Sequence, residues 1–189
     1  MPTEQEVFER VHAHVAKWEG GLTDDPDDSG GITNHGVCLR FLSQVGDETL
    51  HQAGLRQPVS RQTIIRLSKA QAKTIMHAEF WVRPGAGTMP PLIGVCFYDF
   101  AVNAGPYRSV KVMQQALGVD VDGLIGPETR GALEACAQLS TAMRMLDLRE
   151  SWYRRIAVGK NAKFGRGWLN RTSSCRVLVQ ALAEEWGLA

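Results

Sequence analysis

The segment from Pro90 to Pro106 constrains the fold of this chain more than any other. Pro90-Pro91 opens it and Gly105-Pro106 closes it, the punctuation of a helix. Between them Leu92, Ile93, Val95, Phe97, Phe100 and Val102 leave most faces apolar. Such a helix is stable in water only when other elements enclose it, and it falls short of the roughly 20 apolar residues that span a bilayer. It therefore belongs at the centre of the fold.

The rest of the chain supplies the enclosing helices. Thr3 and Glu6 form a capping box, behind which Val7, Val11, Val15 and Trp18 recur at helical spacing up to Gly20-Gly21. Further helices are expected near Val37 to Gln44, after Pro58-Val59-Ser60, and from the Ser68/Gln71 capping box to about Trp81. The second half reads as helices over Ser109 to Leu117, Glu128 to Gln138, Thr141 to Val158 and Ser174 to Trp186. An aromatic stretch from Phe164 to Trp168 lies between the last two, and Asp120 to Pro127 is a turn region. Nothing requires a substantial sheet, so the class is mainly α. Arg83 to Pro91 is rich in Pro and Gly and marks the expected boundary, giving regions 1–88 and 89–189.

At 189 residues the chain can build one well-buried core or two small lobes. Lys and Arg number 21 against 20 for Asp and Glu, so no overall field holds the protein on nucleic acid, and that partner is disfavoured. The polar start, Met1 to Arg10, lacks the apolar core of a signal peptide, which leads us to expect a cytoplasmic product that another route must release. Cys38, Cys96, Cys136 and Cys175 are scattered without a CxxC pair and read as buried thiols, with pairing left open to an oxidising compartment. Five scattered histidines without HExxH give no support for zinc, and neither metal nor cofactor is expected.

The chemistry concentrates just after the first helix. Glu19 precedes a double glycine, at the negative end of the helix dipole and at the edge of the apolar stripe. Both effects disfavour the ionised carboxylate, which suits a general acid that must hold a proton and give it to a glycosidic oxygen. Downstream, Asp24, Asp25, Asp27 and Asp28 are followed by Gly30-Gly31, Thr33 and Asn34. A glycosidase needs a second polar group to activate water or stabilise charge on the ring, and a solvated glycine-flanked loop keeps such a carboxylate ionised. The plainer alternatives are a helix-terminal surface Glu and an ordinary Asx-turn loop. A calcium loop fits Asp25, Asp27, Ser29 and Gly30, but its twelfth place is Gly36 instead of Glu.

Glu19-Gly20-Gly21-Leu22, Asp25-Pro26, Asp28, Gly30-Gly31, Thr33-Asn34 and Gly36 together resemble the EGGY…DPxDxGGxTNxG signature of glycoside hydrolase family 108, the phage and prophage N-acetylmuramidases. The chain departs at Leu22, where an aromatic is usual, and at Ser29, where Pro is common. Val102-Asn103-Ala104-Gly105, Gln114 to Leu117, Val121 to Thr129 and Phe164 with Gly167 to Arg171 resemble the predicted peptidoglycan-binding region that accompanies this module.

The resemblance implies a lysozyme-like helical fold, a catalytic lobe over 1–88 with a helical C-terminal lobe packed on it, and Glu19 as catalytic acid. The order Glu19, Asp28, Thr33 also resembles classical phage lysozymes, where the Asp and Thr hold the attacking water. Asp28 is ranked first and Asp25 second for the base or stabiliser role.

Asp25, Asn34, Tyr98, Asn103 and Tyr107 are candidate substrate contacts, as are Trp18 and Trp81. Aromatic faces suit pyranose rings and amides suit N-acetyl groups, although core packing or helix capping explains these residue types equally. Arg154, Arg155, Lys160, Lys163, Arg166, Arg171 and Arg176 make the last third locally basic, either as a solvated face or as an attraction to an anionic wall. The implied activity is an endolysin-type muramidase cutting β-1,4 bonds between N-acetylmuramic acid and N-acetylglucosamine, released by a holin-type route and not inserted in the membrane. A chitinase, a lytic transglycosylase and a non-catalytic wall-binding or secretion-associated protein are the alternatives.

Overall fold

The computed structural model describes residues 1–24 and 31–188; Asp25 to Gly30 and Ala189 lie outside it. About 71% of the chain is helical, and the sheet among the described residues is a single two-stranded ladder, so the fold is mainly α. The elements run α1 (Glu4–Trp18), β1 (Thr33–Asn34), β2 (Val37–Cys38), α2 (Leu39–Leu42), α3 (Asp47–Gln52), α4 (Arg61–Ile65) and α5 (Lys69–Met76). A π-helical turn over His77–Val82 continues α5. After it come α6 (Pro91–Ala104), α7 (Pro106–Leu117), α8 (Pro127–Ala135), α9 (Gln138–Ile156) and α10 (Ala162–Trp186). No described helix is long and apolar enough to cross a membrane.

The chain forms two compact units, one of residues 12–84 and one of residues 1–11 with 85–189, the division falling within α1. In the larger unit α6 packs against α7, α9 and α10. Leu92, Ile93, Val95, Phe97, Phe100 and Ala101 of α6 are all buried, each large side chain contributing about 1.5–3 kcal/mol by leaving water. Phe8 meets Tyr98 edge-on with ring centroids 5.6 Å apart.

The same helix carries a buried carboxylate, Asp99, bonded by Arg149 of α9 and at 3.0 Å by Arg171 of α10. Two guanidinium groups on one carboxylate leave a buried positive charge. Nε and Nη2 of Arg149 find no hydrogen-bond partner among the described residues, and the guanidinium lies instead over the rings of Phe100 and Tyr153, 5.2 and 5.5 Å from their centroids. Burial pulls the Arg149 pKa down, but Asp99, by charge and hydrogen bond, together with the nearby Tyr153 and Cys175 groups, more than reverses this and holds it above the ordinary arginine range.

α10 is one helix where a break through Phe164 to Trp168 was expected. Trp168 stacks on Tyr153 at 5.1 Å and Phe164 lies over Trp168 at 5.8 Å. Gly165 permits a close approach, since a Cβ there would fall 2.7 Å from the Cβ of Ala157. These contacts outweigh the roughly 1 kcal/mol that a glycine costs in a helix.

In the unit of residues 12–84, Val15, Ile32, Val37, Leu42, Leu50, Ile64 and Ile75 are buried. The capping boxes of Ser60 with Thr63 and Ser68 with Gln71 start α4 and α5. The helix expected near Val37 to Gln44 shrinks to α2, because Val37 and Cys38 pair with Asn34 and Thr33 as a strand. Cys38 and Cys136 are only half-buried, unlike Cys96 and Cys175; all four are free thiols.

Candidate active site

The site is built on the hairpin β1-β2. Its two-residue turn, His35-Gly36, has positive φ at both positions, +48° and +77°, the type I′ geometry that matches strand twist. Glycine meets this at no steric cost, whereas histidine at left-handed φ stores about 1–2 kcal/mol of strain. Thr23 and Thr33 exchange backbone bonds of 2.9 Å, and Thr33 Oγ1 donates to the carbonyl of Gly31 at 3.1 Å.

Gly36 faces the candidate acid. A Cβ on Gly36 would fall 2.7 Å from Glu19 Cδ, closer still to Oε2, and 2.5 Å from Met76 Cε. The Glu19 carboxyl therefore lies directly against the turn. Glu19 itself is the first residue past α1, its N–H still donating to Val15 O at 3.1 Å, and its side chain is half-buried. The carboxyl opens on a cleft of about 400 Å³ lined also by His12, Gly20, Gly21, His35, Lys69, Lys73 and Met76. A half-buried carboxylic acid beside a cleft with a glycine floor can donate a proton to an oxygen of a polymer lying there.

Asp25 and Asp28 lie outside the described residues. Asp24 forms an exposed ion pair of 2.6 Å with Arg61, worth at most about 1 kcal/mol. Thr33 stands in the hairpin beside the turn. Asn34, expected to contact substrate, is buried and donates through Nδ2 to the carbonyls of Ile64 at 3.0 Å and Leu67 at 3.4 Å, which fastens the hairpin to α4. Tyr98, expected at a sugar ring, is 0% exposed and has no face left for one. Trp81 is likewise core, while Trp18, expected within the apolar stripe, is exposed at the last residue of α1.

Asn103 and Tyr107 belong to the other unit. Asn103 is exposed near the end of α6 and its Oδ1 accepts from the Tyr153 hydroxyl. Tyr107 is exposed, with its ring against Gly123, where a Cβ would come 2.9 Å from Cδ2, and with Lys111 Nζ 4.8 Å from its centroid.

The turn over 120–126 is tied by buried Gln114, which donates to Asp122 Oδ1 at 2.7 Å, Leu124 O at 2.8 Å and Thr129 Oγ1 at 3.2 Å, and accepts from Gly123 N at 2.8 Å. The Leu124 N–H and then Gln114 hold the Asp122 carboxyl below its ordinary pKa.

His12, His35, Lys69 and Lys73 were not singled out from the sequence. The one available signal was His-Gly between Thr-Asn and Val-Cys, a two-residue hairpin pattern that brings position 35 to the cleft.

A mainly helical scaffold with a half-buried Glu19 carboxyl facing an open cleft is compatible with a sugar-polymer hydrolase of lysozyme-like fold. The model of the glycosyl hydrolase 108 family matches residues 12–105, and that of a predicted peptidoglycan domain matches residues 108–173. The chain is 32% identical to Brucella abortus SagA, whose solved structure it superimposes with a TM-score of 0.77 over 94% of this chain and 95% of that one. No curated protein matches. The chain belongs to the glycosyl hydrolase 108 family and is a glycoside hydrolase that acts on peptidoglycan.

Proposed function

We propose that this enzyme is an N-acetylmuramidase of the endolysin type, cleaving the β-1,4 bond between N-acetylmuramic acid and N-acetylglucosamine with Glu19 as general acid. The observation that carries the reading is the Glu19 carboxyl set against Gly36 at the edge of the cleft. In this mechanism protonated Glu19 gives its proton to the glycosidic oxygen as the bond breaks, and positive charge develops on the sugar ring. A carboxylate of the Asp-rich loop, Asp28 before Asp25, meets that charge or activates water, and the Thr33 hydroxyl helps to hold the water.

Residues 1–88 supply the catalytic machinery and residues 89–189 recognise the wall, with Asn103 and Tyr107 as exposed contacts. The enzyme waits in the cytoplasm and reaches its substrate once a holin-type pore opens the inner membrane. Lysis of an expressing Gram-negative culture is then expected only after a permeabilising agent is added, and prompt lysis without one would defeat this route.

The test of the chemistry is mass spectrometry of fragments released from purified peptidoglycan. Reducing muramic acid ends are expected; anhydro ends would make the enzyme a lytic transglycosylase, and reducing glucosamine ends would defeat the bond assignment. Glu19→Gln, which keeps shape but has no proton to give, should fold by circular dichroism and release almost nothing. In the same assay Asp28→Asn should lose more turnover than Asp25→Asn, and the reverse order would exchange their roles.

A further inference from the structure

We propose that the reversal between α9 and α10 is a docking tip that seats the protein on the surface of a bilayer of anionic phospholipids. This holds whichever bond the enzyme cuts, and it concerns a surface of the larger unit, away from the Glu19 cleft.

α9 ends at Ile156 and α10 begins at Ala162, so five residues join them. Tyr153 stacks on Trp168, and a Cβ on Gly165 would meet that of Ala157, so the two helices run antiparallel and the closed end of the pair is the stretch 158–163. Two features meet at this end.

The first is charge. Arg154, Arg155, Lys160, Lys163 and Arg166 place five cations within thirteen residues that hold no acid, and no Asp or Glu occurs anywhere from 151 to 183. The formal net charge of the whole chain is only +1, so the remainder is net negative and the cations are concentrated here. Helix electrostatics account for Arg154 and Arg155 in the last turn of α9, and Arg154 is also paired with Glu150 at 2.7 Å. They do not account for Lys160 in the connecting turn, or for Lys163 in the first turn of α10, at the positive end of that dipole. Arg155, Lys160, Lys163 and Arg166 are all exposed.

The second is apolar surface among those charges. Val158 is 64% exposed and Phe164 44%. Neither suits a sugar. Lys163 Nζ lies over the Phe164 ring, 5.0 Å from its centroid, and Trp168 lies against the same ring at 5.8 Å, which leaves little of it for a pyranose. Val158 has neither a flat face nor a hydrogen bond to offer. Apolar side chains ringed by cations suit a bilayer surface, where ammonium and guanidinium groups meet headgroup phosphates and the apolar groups enter the boundary of the acyl chains. Beside the tip, Arg154, Arg166 and Asn170 line an open hollow of about 470 Å³ with Ala157, Gly165 and Leu169. Its N–H donors suit the phosphate of a single headgroup.

The experiment is cosedimentation of the full chain with lipid vesicles. Wild type should bind vesicles of equal parts phosphatidylglycerol and phosphatidylcholine and leave vesicles of phosphatidylcholine alone. Arg155→Gln/Lys160→Gln/Arg166→Gln removes three exposed cations worth about fivefold each, so affinity should fall roughly a hundredfold, and Arg155→Lys/Arg166→Lys should keep most of it. Val158→Ser, which leaves every charge in place, should weaken binding several-fold, and that loss should persist in salt that screens the charges. Circular dichroism checks the fold of each variant.

Equal binding to the two kinds of vesicle, or wild-type affinity in either the triple Gln variant or Val158→Ser, overturns the proposal. So does a wild type that leaves the anionic vesicles unbound while the triple variant loses affinity for purified sacculi, since the patch would then serve the wall.

Discussion

At Gly36 a single missing methyl group makes room for the Glu19 carboxyl. Gly36→Ala introduces a Cβ at φ +77° and 2.7 Å from Glu19 Cδ, so it should cost about 1–2 kcal/mol of stability and also displace the acid. Thermal melting should show a modest loss, and turnover should fall far more than the melting shift explains. Wild-type turnover in the Gly36→Ala protein would show that Glu19 does not work from this position.

The place of Glu19 just past a helix end was legible in the sequence because a helix end, a double glycine and an acid are all local features. Asn34 and Tyr98 were not, since a buried amide that ties carbonyls and a buried phenol that packs on Phe8 use the same residue types as sugar contacts. What separates the two uses is burial, a property of the folded chain.

Among the elements, caps and breakers were read correctly wherever the signal was local. Thr3 with Glu6, Ser60, and Ser68 with Gln71 all cap helices, and Pro91 and Gly105 bound α6. The aromatic stretch of α10 was misread because its helicity comes from stacking on Tyr153 across the unit, and the hairpin was hidden inside a loop-like composition.

The turn after α7 gives a pH prediction. Asp122 has its pKa lowered in the folded state by the Leu124 N–H and by Gln114, so the unfolded chain binds the proton more readily. Its stabilising contribution is complete above the unfolded value, about 3.9, and is lost as pH falls through the lower folded value. Unfolding by urea at pH 7 and again near pH 3 should show a larger loss of stability in wild type than in Asp122→Asn. Equal losses would mean that the knot around Gln114 does not depend on the charge.

At the scale of the molecule, the central position of α6 followed from its composition, but the charge within it did not, because Asp99 interrupts an apolar run without revealing its partners. Removing that charge is expected to be severe. Asp99→Asn removes the carboxylate that Arg149 and Arg171 share, and a loss of roughly 3–5 kcal/mol is expected in chemical denaturation. Arg171→Met, which leaves one Arg–Asp pair, should be milder, and a reversal of that order would show that the shared carboxylate is not what holds the cluster.

The triad also orders events in time. Asp99 is separated from Arg149 by 50 residues and from Arg171 by 72. At a synthesis rate of about 5–20 residues per second, the second guanidinium leaves the ribosome roughly 4–14 s after the carboxylate. Until Arg149 emerges, about 2.5–10 s after the carboxylate at the same rate, α6 carries a charge that water must keep solvated, and closing the larger unit around it is unfavourable. On this account α9 brings the group that first lets the central helix close, and α10 adds the second guanidinium to a carboxylate that is already paired.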